Sequence, residues 1–481
     1  MPGRRSHVSP PAAQGELAAA LAALRTELDL PDGFPADVLA EADAAVAATP
    51  PPEADRRELP FVTVDPAGSM DLDQALHLER RRGGYVVHYA IADVPGFVRA
   101  DGAIDREARR RGQTLYAADG RVPLHPPVLS EDRVSLLPDV DRSAHLWTFE
   151  LDDAGLVTST RLERAIVRSR AKLSYTEAQA RIDGDGGVDG AGADMLGLLR
   201  EVGLARIEQE RARGGASLNV PDEEIVRTAD GGYALERRRL LPVEEWNAQL
   251  SLMTGMAAAE LMLGARVGIL RTMPAPTAER IAAFRAQTEA LGRPWPSSIG
   301  YGEYLRGLGR DDPASLAIMQ AAAGLFRGAG YEAMDGTVPA DPMQSALAAP
   351  YAHVTAPLRR LVDRWGLVVC EALSAGREVP GWARDSLHEL PSLMGASTRR
   401  ASQLDAGSIA RVEAAVLSDR VGDRFDATVL ELRNGSAVIQ LVDPAVTATC
   451  PAPPEARPGA RLPVVLEGAD IRTGTVRFRA A

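Results

Sequence analysis

The sequence predicts an α+β fold, in which a mixed or antiparallel sheet packs against helices and a small β-barrel follows. Three observations support this prediction: a hairpin pattern early in the chain, apolar helical patterns across its middle, and short strands separated by turns at its end. With 481 residues and 45% hydrophobic content, the chain can form several domains with large cores. We predict a helical N-terminal extension over 1–57, a main body over 58–416 and a barrel over 417–481.

The N-terminal extension contains two Ala- and Leu-rich helical patterns, at 16–28 and 36–48. Prolines and a glycine between 31 and 35 separate them, and three prolines at 50–52 close the segment. We expect this extension to pack on the main body.

The main body begins with a strand pattern at 59–64, followed by a hairpin pattern with a Gly-Gly turn between strands at 75–79 and 85–91. An exposed, flexible loop is expected at 183–193, which is rich in Gly and Asp. The later predicted strands are 147–152, 156–169 and 233–240. The predicted helices are 105–111, 175–182, 195–213, 244–263, 277–291 and 313–323, with one or two more within 385–416.

An acidic loop, DPAGSMDLDQA at 65–75, carries carboxylates at Asp65, Asp71 and Asp73. Alternate residues of an extended chain point to the same side, so Asp71 and Asp73 should face one way. Carboxylates held close together repel one another, and a hard divalent cation such as Mg²⁺ or Mn²⁺ would compensate their charge. The alternative is that these aspartates only cap turns or pair with arginines.

An arginine segment, PYAHVTAPLRRLVDRW at 350–365, is the second informative stretch. A threonine cap followed by a proline predicts a helix start near residue 357, with Arg359 and Arg360 close to it. Helix N–H groups and guanidinium groups together can bind a phosphate. The alternative is that one of these arginines merely pairs with Asp363.

The last part of the chain, from about residue 419, has the pattern of four or five short strands, with turns at Asn434-Gly435 and Asp443-Pro444. A five-stranded barrel of this size is typical of the OB-fold, which often binds single-stranded nucleic acid. A generic small barrel fits the pattern nearly as well. Phe425 is one of very few aromatic residues that this barrel could use for stacking.

Charge and composition limit the function classes. A net charge of −12 argues against nucleic acid bound at the surface, although a substrate held in a channel depends on the local charge instead. Cys370 and Cys450 indicate neither a disulfide framework nor a zinc site. The first residues lack the apolar core of a signal peptide, and polar residues interrupt the most apolar helical pattern, at 246–263. We therefore expect a cytoplasmic protein with no membrane partner.

Taken in order, these motifs resemble the ribonuclease II family, the RNB-type exoribonucleases, over about residues 65–415. The acidic loop is similar to the family's acidic motif, residues 91–116 to the segment after it, and the arginine segment to its arginine motif. The resemblance implies an RNB-like catalytic domain in a hydrolase dependent on magnesium or manganese. Such an enzyme degrades single-stranded RNA from the 3′ end to nucleoside 5′-monophosphates. It also implies a short form without the family's N-terminal cold-shock domains, and no obligate protein partner is inferred.

The resemblance also implies roles for individual residues. Asp65, Asp71 and Asp73 match metal-site aspartates, and Asp73 matches the one most closely tied to the chemistry. Arg359 matches the arginine that steadies the scissile phosphate, and we count it with Asp73 as catalytic. The residues expected to bind RNA are Tyr116, which would stack on the terminal base, Arg359, Arg360 and His353.

The chain departs from the family pattern in three places. Gln74 stands where the acidic motif usually has a fourth aspartate, and Ala356 stands where the arginine motif usually has a serine. A late glutamate of the domain should fall near Gln403 or Asp405. Because Gln74 removes a negative charge, we expect weaker metal binding, and the alternative function is a weak or inactive RNB-like protein that binds RNA. A remoter alternative is a metal phosphohydrolase that acts on a small molecule.

Overall fold

The computed structural model describes residues 5–8, 11–118, 120–184, 191–216, 222–227, 233–238, 240–309, 313–325, 327–441, 443–444 and 446–481. The strands are β1 (Arg5–His7), β2 (Ala54–Asp55), β3 (Phe61–Asp65), β4 (Gln74–Arg81), β5 (Gly84–Ala92), β6 (Leu115–Ala117), β7 (Gly120–Val122), β8 (Asp141–Asp152), β9 (Val157–Ser174), β10 (Asp222–Arg227), β11 (Tyr233–Arg238), β12 (Val267–Thr272), β13 (Gly330–Asp335), β14 (Met343–Gln344), β15 (Ala349–Pro350), β16 (Arg424–Arg433), β17 (Ser436–Leu441), β18 (Thr447–Pro451), β19 (Arg461–Asp470) and β20 (Thr475–Ala480). The α-helices are α1 (Pro11–Glu27), α2 (Ala36–Ala48), α3 (Val94–Phe97), α4 (Ala103–Arg111), α5 (Tyr175–Asp183), α6 (Ala191–Arg213), α7 (Pro242–Ala265), α8 (Ala278–Ala290), α9 (Tyr301–Arg306), α10 (Pro313–Ala323), α11 (Leu361–Ser374), α12 (Gly381–Asp385) and α13 (Leu390–Leu417). A π-helix spans Val128–Arg133 and a 3₁₀-helix spans Leu387–Glu389.

A mixed six-stranded sheet organises the main body, in the order β2-β9-β3-β4-β5-β8. β3 runs parallel to the end of β9, whereas β4, β5 and β8 follow as antiparallel neighbours. β9 is long enough to pair with β8 along its first part and with β3 along its last part, so the sheet curls back on itself. The mixed α+β architecture expected from the sequence is confirmed.

One face of the sheet packs against α5, α6, α7 and α11. Three fully buried aromatic residues of the strands, Tyr89, Trp147 and Phe149, share this core with Leu250 of α7 and Val369 of α11. Burying one large apolar side chain contributes about 1.5 to 3 kcal/mol. This core therefore makes the sheet a rigid support for the loops at its edge.

The opposite face holds the core that fixes the two sequence motifs. Leu72 of the acidic loop and Leu358 of the arginine segment both belong to it, together with Phe61 and Leu146 of the sheet. Leu72 is 0% exposed and Leu358 is 1% exposed. Because each motif inserts an apolar side chain into the same core, the two motifs are held side by side although they are far apart in sequence.

A short hairpin, β6–β7, lies over α13. Leu115 of the hairpin shares a buried cluster with Leu404 of α13 and Leu24 of α1. Successive residues of a strand point to opposite faces, so the burial of Leu115 turns Tyr116 outward. The register places Tyr116 opposite Arg121.

Helix α1 packs against both the main body and the barrel. Leu17 and Leu21 share a buried cluster with Tyr233 of β11, Val412 of α13 and Ile471 of the barrel. The N-terminal extension is therefore in contact with the last part of the chain. The domain boundaries at 57/58 and 416/417 stay predictions, because packing continues across them.

The last five strands form a sheet in the order β18-β17-β16-β19-β20, and its outer strands β18 and β20 approach each other. The result is a nearly closed barrel, as expected for an OB-type domain. One expectation is wrong: Phe425 is 5% exposed and packs edge-to-face against Phe478, with ring centroids 6.0 Å apart. Residues of β16 alternate between the inside and the outside of the barrel, and Phe425 points inward. It therefore fills the barrel core and cannot stack on a base.

Most of the predicted helices and strands are present, with ends extended by a few residues. β10 and the β12–β13 ribbon were not predicted, and the expected loop at 183–193 lies largely outside the described residues. The helix start predicted near residue 357 is wrong, because α11 begins at Leu361. Within the described ranges, each helix is either too short or too polar to cross a lipid bilayer.

Candidate active site

The acidic loop is held in place by backbone contacts around Leu72. The N–H of Leu72 donates to Oγ of Ser135 across 2.9 Å, and that hydroxyl donates to the carbonyl oxygen of Met70 across 2.6 Å. The N–H of Leu136 donates to the carbonyl of Leu72, and the N–H of Ala92 donates to the carbonyl of residue 73. With Leu72 turned into the core, the side chains on either side of it point away from that core.

Asp73 lies at the junction of the two motifs and is 3% exposed. Its Oδ1 accepts a hydrogen bond from the N–H of Leu358 across 2.8 Å. Its Oδ2 is buried without a hydrogen-bond partner, and Nε of Arg359 lies 3.2 Å away without hydrogen-bond geometry. Burial raises the pKa of Asp73 to about 8, although Arg359 opposes this shift. Burial thus outweighs the nearby positive charge, and one oxygen of this carboxylate accepts no hydrogen bond.

Asp65 ends β3 and carries the second buried oxygen, because its Oδ2 also lacks a partner. Burial raises the pKa of Asp65 to about 6, and the negative charge of Asp71 adds to the shift, against the opposing charges of Arg359 and Lys172. The hydroxyl of Tyr89 is buried nearby without a partner, and the charge of Asp65 acts on it. Asp65 and Tyr89 thus each bury one oxygen without a hydrogen-bond partner.

Asp71 is bound to an arginine that the sequence analysis did not single out. Nη1 of Arg121 lies 2.6 Å from Oδ1 of Asp71, and Nη2 of the same guanidinium lies 2.8 Å from Oε1 of Glu131. Tyr116 was predicted, and Arg121 lies five residues after it across a glycine turn. If the sequence around this turn had been interpreted as a β-hairpin, Arg121 would have been predicted to lie beside Tyr116.

The aspartates do not form a complete metal site as they stand. Over the ranges that the structure describes, no three His, Cys, Asp or Glu side chains are arranged to hold a metal ion. The donor set nevertheless suits a hard cation, because Asp65 and Asp73 each have a buried, unpartnered carboxylate oxygen. Asp71 is the candidate ligand that is already paired. The assignment of the three aspartates as metal ligands stays a prediction.

The two consecutive arginines have different surroundings. Arg360 donates from Nε and Nη2 to the two oxygens of Asp363, both across 2.8 Å. Asp363 is fully buried and also accepts from the N–H of Ala356 across 2.7 Å, so it occupies the anion position that the sequence had suggested for a phosphate. Arg359 is 45% exposed and faces Asp73. The alternative that one of these arginines pairs with Asp363 therefore applies to Arg360. A role of Arg360 in RNA binding stays a prediction.

Gln74, one of the departures from the family pattern, joins the two motifs. Its Nε2 donates to the carbonyl oxygen of Thr355 across 2.5 Å. The hydroxyl of Thr355 is itself 2.7 Å from that of Ser251 on α7. An aspartate at position 74 could not donate this hydrogen bond when ionised, so the glutamine has a positioning role in this chain.

Tyr116 and His353, both predicted to bind RNA, differ in their exposure and contacts. Tyr116 is 58% exposed, which leaves its ring open to a ligand. Nδ1 of His353 is 2.7 Å from the hydroxyl of Tyr331, and its ring lies edge-on to Tyr351 at 5.3 Å. Burial lowers the pKa of His353 well below its usual value, and Arg360 lowers it further, so the ring is neutral at pH 7.

The late glutamate of the family pattern has no clear counterpart. Gln403 and Asp405 both lie on α13 and are exposed, and Leu404 between them is buried under the β6–β7 hairpin. These residues are therefore on the helix that supports Tyr116. Their role stays a prediction.

Comparison with known proteins places the chain in a family. The family model described as "RNB domain" matches residues 54–372, about two thirds of the chain. The chain belongs to the RNB family. A second model, described as "RNase II-type exonuclease C-terminal S1 domain", matches residues 423–481. The predicted family is thereby confirmed, and the barrel corresponds to the S1 domain of these proteins.

Two curated relatives show the extent of the match. The chain is 31% identical over 327 residues to the exosome complex exonuclease RRP44 homolog A of Arabidopsis thaliana, covering 65% of this chain and 34% of that protein. It is 29% identical over 322 residues to ribonuclease R of Escherichia coli strain K12, covering 64% of this chain and 39% of that protein. The aligned region thus spans little more than a third of each relative.

Solved structures match over almost the whole chain. The apo form of Mycoplasma genitalium RNase R has a TM-score of 0.86 at 17% identity, covering 97% of this chain and 78% of that one. Yeast Ssd1, a pseudonuclease, has a TM-score of 0.64 at 15% identity, covering 91% of this chain and 54% of that one. At these identities the likeness shows a shared fold.

Proposed function

We propose that this RNB-family protein is a metal-dependent exoribonuclease that degrades single-stranded RNA from its 3′ end and releases nucleoside 5′-monophosphates. One observation carries the proposal: Asp73 is held by the N–H of Leu358 through one oxygen and presents its other, unpartnered oxygen beside Arg359. A carboxylate and an exposed guanidinium at this spacing can hold a cation and a phosphate next to each other.

Each residue has a distinct part in the proposed reaction. Asp65, Asp73 and, once it leaves Arg121, Asp71 would hold magnesium or manganese. The bound cation would supply the positive charge that activates a water molecule and stabilises the leaving oxygen. Arg359 would bind the scissile phosphate, because its planar guanidinium can donate two hydrogen bonds to it.

Tyr116 and His353 would bind the RNA strand. The exposed ring of Tyr116 can stack on the terminal base, which suits a substrate read without sequence preference. His353 is neutral and can accept or donate a hydrogen bond. We propose that the protein acts in the cytoplasm on free RNA 3′ ends. A Mycoplasma genitalium RNase R structure with ribose methylated single-stranded RNA, which has the same fold, supports RNA as the ligand class.

The test is the decay of a single-stranded RNA labelled at its 5′ end, with Mg²⁺ or Mn²⁺. The wild-type protein should give a ladder that shortens from the 3′ end, and chromatography should identify 5′-monophosphates. Asp73→Asn should abolish decay because it removes the charge while keeping the acceptor for Leu358. Asp153→Asn, on the exposed β8–β9 turn, is the matched control and should act like wild type. Equal decay by wild type and Asp73→Asn would refute the catalytic role.

A second candidate is an RNB-like protein that binds RNA without cutting it. Gln74 favours it, because its amide donates to the carbonyl of Thr355 where the family usually has a fourth carboxylate. The fold shared with the pseudonuclease Ssd1 is compatible with this role. Tight RNA binding without decay across a metal titration, with decay gained by Gln74→Asp, would favour this candidate. Decay by the wild type would exclude it.

A further inference from the structure

Arg121 bridges two carboxylates at the edge of the acidic loop. Its Nη1 lies 2.6 Å from Oδ1 of Asp71, and its Nη2 lies 2.8 Å from Oε1 of Glu131. The three side chains are partly shielded from solvent, with exposures of 26% for Arg121, 11% for Asp71 and 30% for Glu131. One guanidinium thus uses separate nitrogens for a candidate metal ligand and for a carboxylate on the neighbouring π-helix.

Elsewhere in the acidic site two carboxylate oxygens accept no hydrogen bond, although Nε of Arg359 lies 3.2 Å from Oδ2 of Asp73. Oδ2 of Asp73 and Oδ2 of Asp65 are buried without hydrogen-bond partners, and Asp73 is 3% exposed. Asp71 is the third carboxylate of the acidic loop that a cation at these oxygens could take as a ligand. Oδ1 of Asp71 is, however, bound to Arg121. A cation that took this oxygen as a ligand would therefore compete with the arginine for it.

We propose that Arg121 is a built-in competitor of the divalent cation, which neutralises Asp71 before the cation binds and is retained by Glu131 afterwards. The inference rests on the proposed function, because it concerns the same acidic site. Arg121 acts through Asp71 and is a positioning residue. Glu131 lowers the cost of its release, because one of its two ion pairs survives when the other is broken.

An ordinary structural ion pair predicts the opposite effect on metal binding. If Arg121 only ordered Asp71 as a ligand, its removal would loosen that carboxylate and weaken the binding of a cation. If it competes with the cation, its removal frees Oδ1 of Asp71 and deletes a nearby positive charge, and both changes strengthen the binding. The sign of the change in affinity distinguishes the two roles.

The experiment measures Mn²⁺ binding to the RNA-free protein, from the electron paramagnetic resonance signal of unbound Mn²⁺. Arg121→Gln should bind Mn²⁺ roughly fivefold more tightly than wild type. Glu131→Gln keeps Arg121 but removes one of the two carboxylates that it pairs with, so that Asp71 remains. Release of Arg121 from Asp71 then costs more, and this variant should bind Mn²⁺ roughly threefold more weakly than wild type. The double variant should match Arg121→Gln, because Glu131 acts only through Arg121.

Arg133→Gln is the matched control, since it removes one positive charge from the π-helix that carries Glu131 and leaves the Arg121–Asp71 pair in place, and it should bind Mn²⁺ like wild type. Unchanged or weaker binding by a folded Arg121→Gln would overturn the proposal. If that variant does not fold, unchanged or tighter binding by Glu131→Gln would overturn it instead. Absence of Mn²⁺ binding by the wild type would refute the metal site of the proposed function. If the wild type binds Mn²⁺ but Arg121→Gln and Glu131→Gln bind it equally well, only the role of Arg121 as a competitor is refuted.

Discussion

The backbone N–H of Leu358 donates to Oδ1 of Asp73 across 2.8 Å, and this bond joins the acidic loop to the arginine segment. The side chain of Leu358 is buried in the core that also holds Leu72, so the donor is fixed from both motifs. Because the next residue is Arg359, whose Nε lies 3.2 Å from the other oxygen of Asp73, the guanidinium is positioned by the same turn. The two motifs form one structural unit.

The neighbouring arginines should respond differently to the same substitution. If the proposed function holds, Arg359→Gln should lower the turnover of single-stranded RNA by roughly 100-fold or more, because it removes the charge proposed to bind the scissile phosphate. Arg360→Gln should lower the free energy of unfolding by about 3 to 5 kcal/mol, because it strips the buried carboxylate of Asp363 of its partner. Urea denaturation and single-turnover decay of both variants check this. Equal losses of stability would contradict the division of roles.

Gln74→Glu should destabilise the protein although it barely changes the size of the side chain. The variant loses the hydrogen bond to the carbonyl of Thr355 and places a carboxylate against that carbonyl, at a cost of about 1 to 3 kcal/mol. Gln209→Glu is the control, because Gln209 makes the same kind of bond to the carbonyl of Ala154 at an exposed site and should cost less than about 0.5 kcal/mol. Urea denaturation of both variants compares the two costs, and a similar cost at both sites would argue against a positioning role.

Tyr116 should contribute to RNA binding through its ring and not through its hydroxyl. Tyr116→Ala should raise the KM for single-stranded RNA by roughly tenfold or more, because stacking on one base is worth about 1 to 3 kcal/mol. Tyr116→Phe keeps the ring and should retain the wild-type KM. Steady-state decay of one labelled RNA by the three proteins gives the comparison. A large effect of the Phe variant would point to the hydroxyl instead.

The burial of Asp65 and Asp73 should make the metal-free protein lose stability as the pH rises from about 4 to about 8, against the opposite contribution of buried histidines such as His353 below about pH 6.5. The pKa of Asp65 is raised to about 6 and that of Asp73 to about 8, both from 3.8, mainly by burial. At these two sites the folded state therefore binds more protons than the unfolded state within this window, and their contribution to the free energy of unfolding decreases with pH. Melting temperatures of wild type and Asp73→Asn are measured in a chelator across this range, and the variant should lose less stability, or gain more, as the pH rises. Parallel pH profiles of the two proteins would contradict the raised pKa of Asp73.

Sequence patterns predicted the elements that have strong local signals. The Gly-Gly turn and its flanking strands identified β4 and β5, and α2 was predicted with its observed ends. The start of α11 was misplaced, because the turn after Thr355 is held by Asp363 and by Asp73, and neither contact can be read from local sequence. Local signals do not report which distant partner satisfies a backbone donor.

The sequence named candidate site residues but did not indicate their pairings. The acidic loop pointed to Asp65, Asp71 and Asp73 as candidates, but nothing in it showed that Oδ2 of Asp65 and Oδ2 of Asp73 would be buried without a hydrogen-bond partner. Arg121 escaped attention because its importance comes from a cross-strand position and from Glu131 on a separate helix. The ion pairs at the candidate site depend on tertiary contacts, which the sequence motifs do not reveal.

The packing of α1 has a consequence for how the chain reaches its folded state during synthesis. The apolar side of this helix, with Leu17 and Leu21, meets Val412 and Ile471, which are synthesised about 400 to 450 residues later. Part of its apolar surface therefore stays uncovered until those later segments have been made. We expect this helix to depend on chaperones or on transient local partners in that interval, and to dock late.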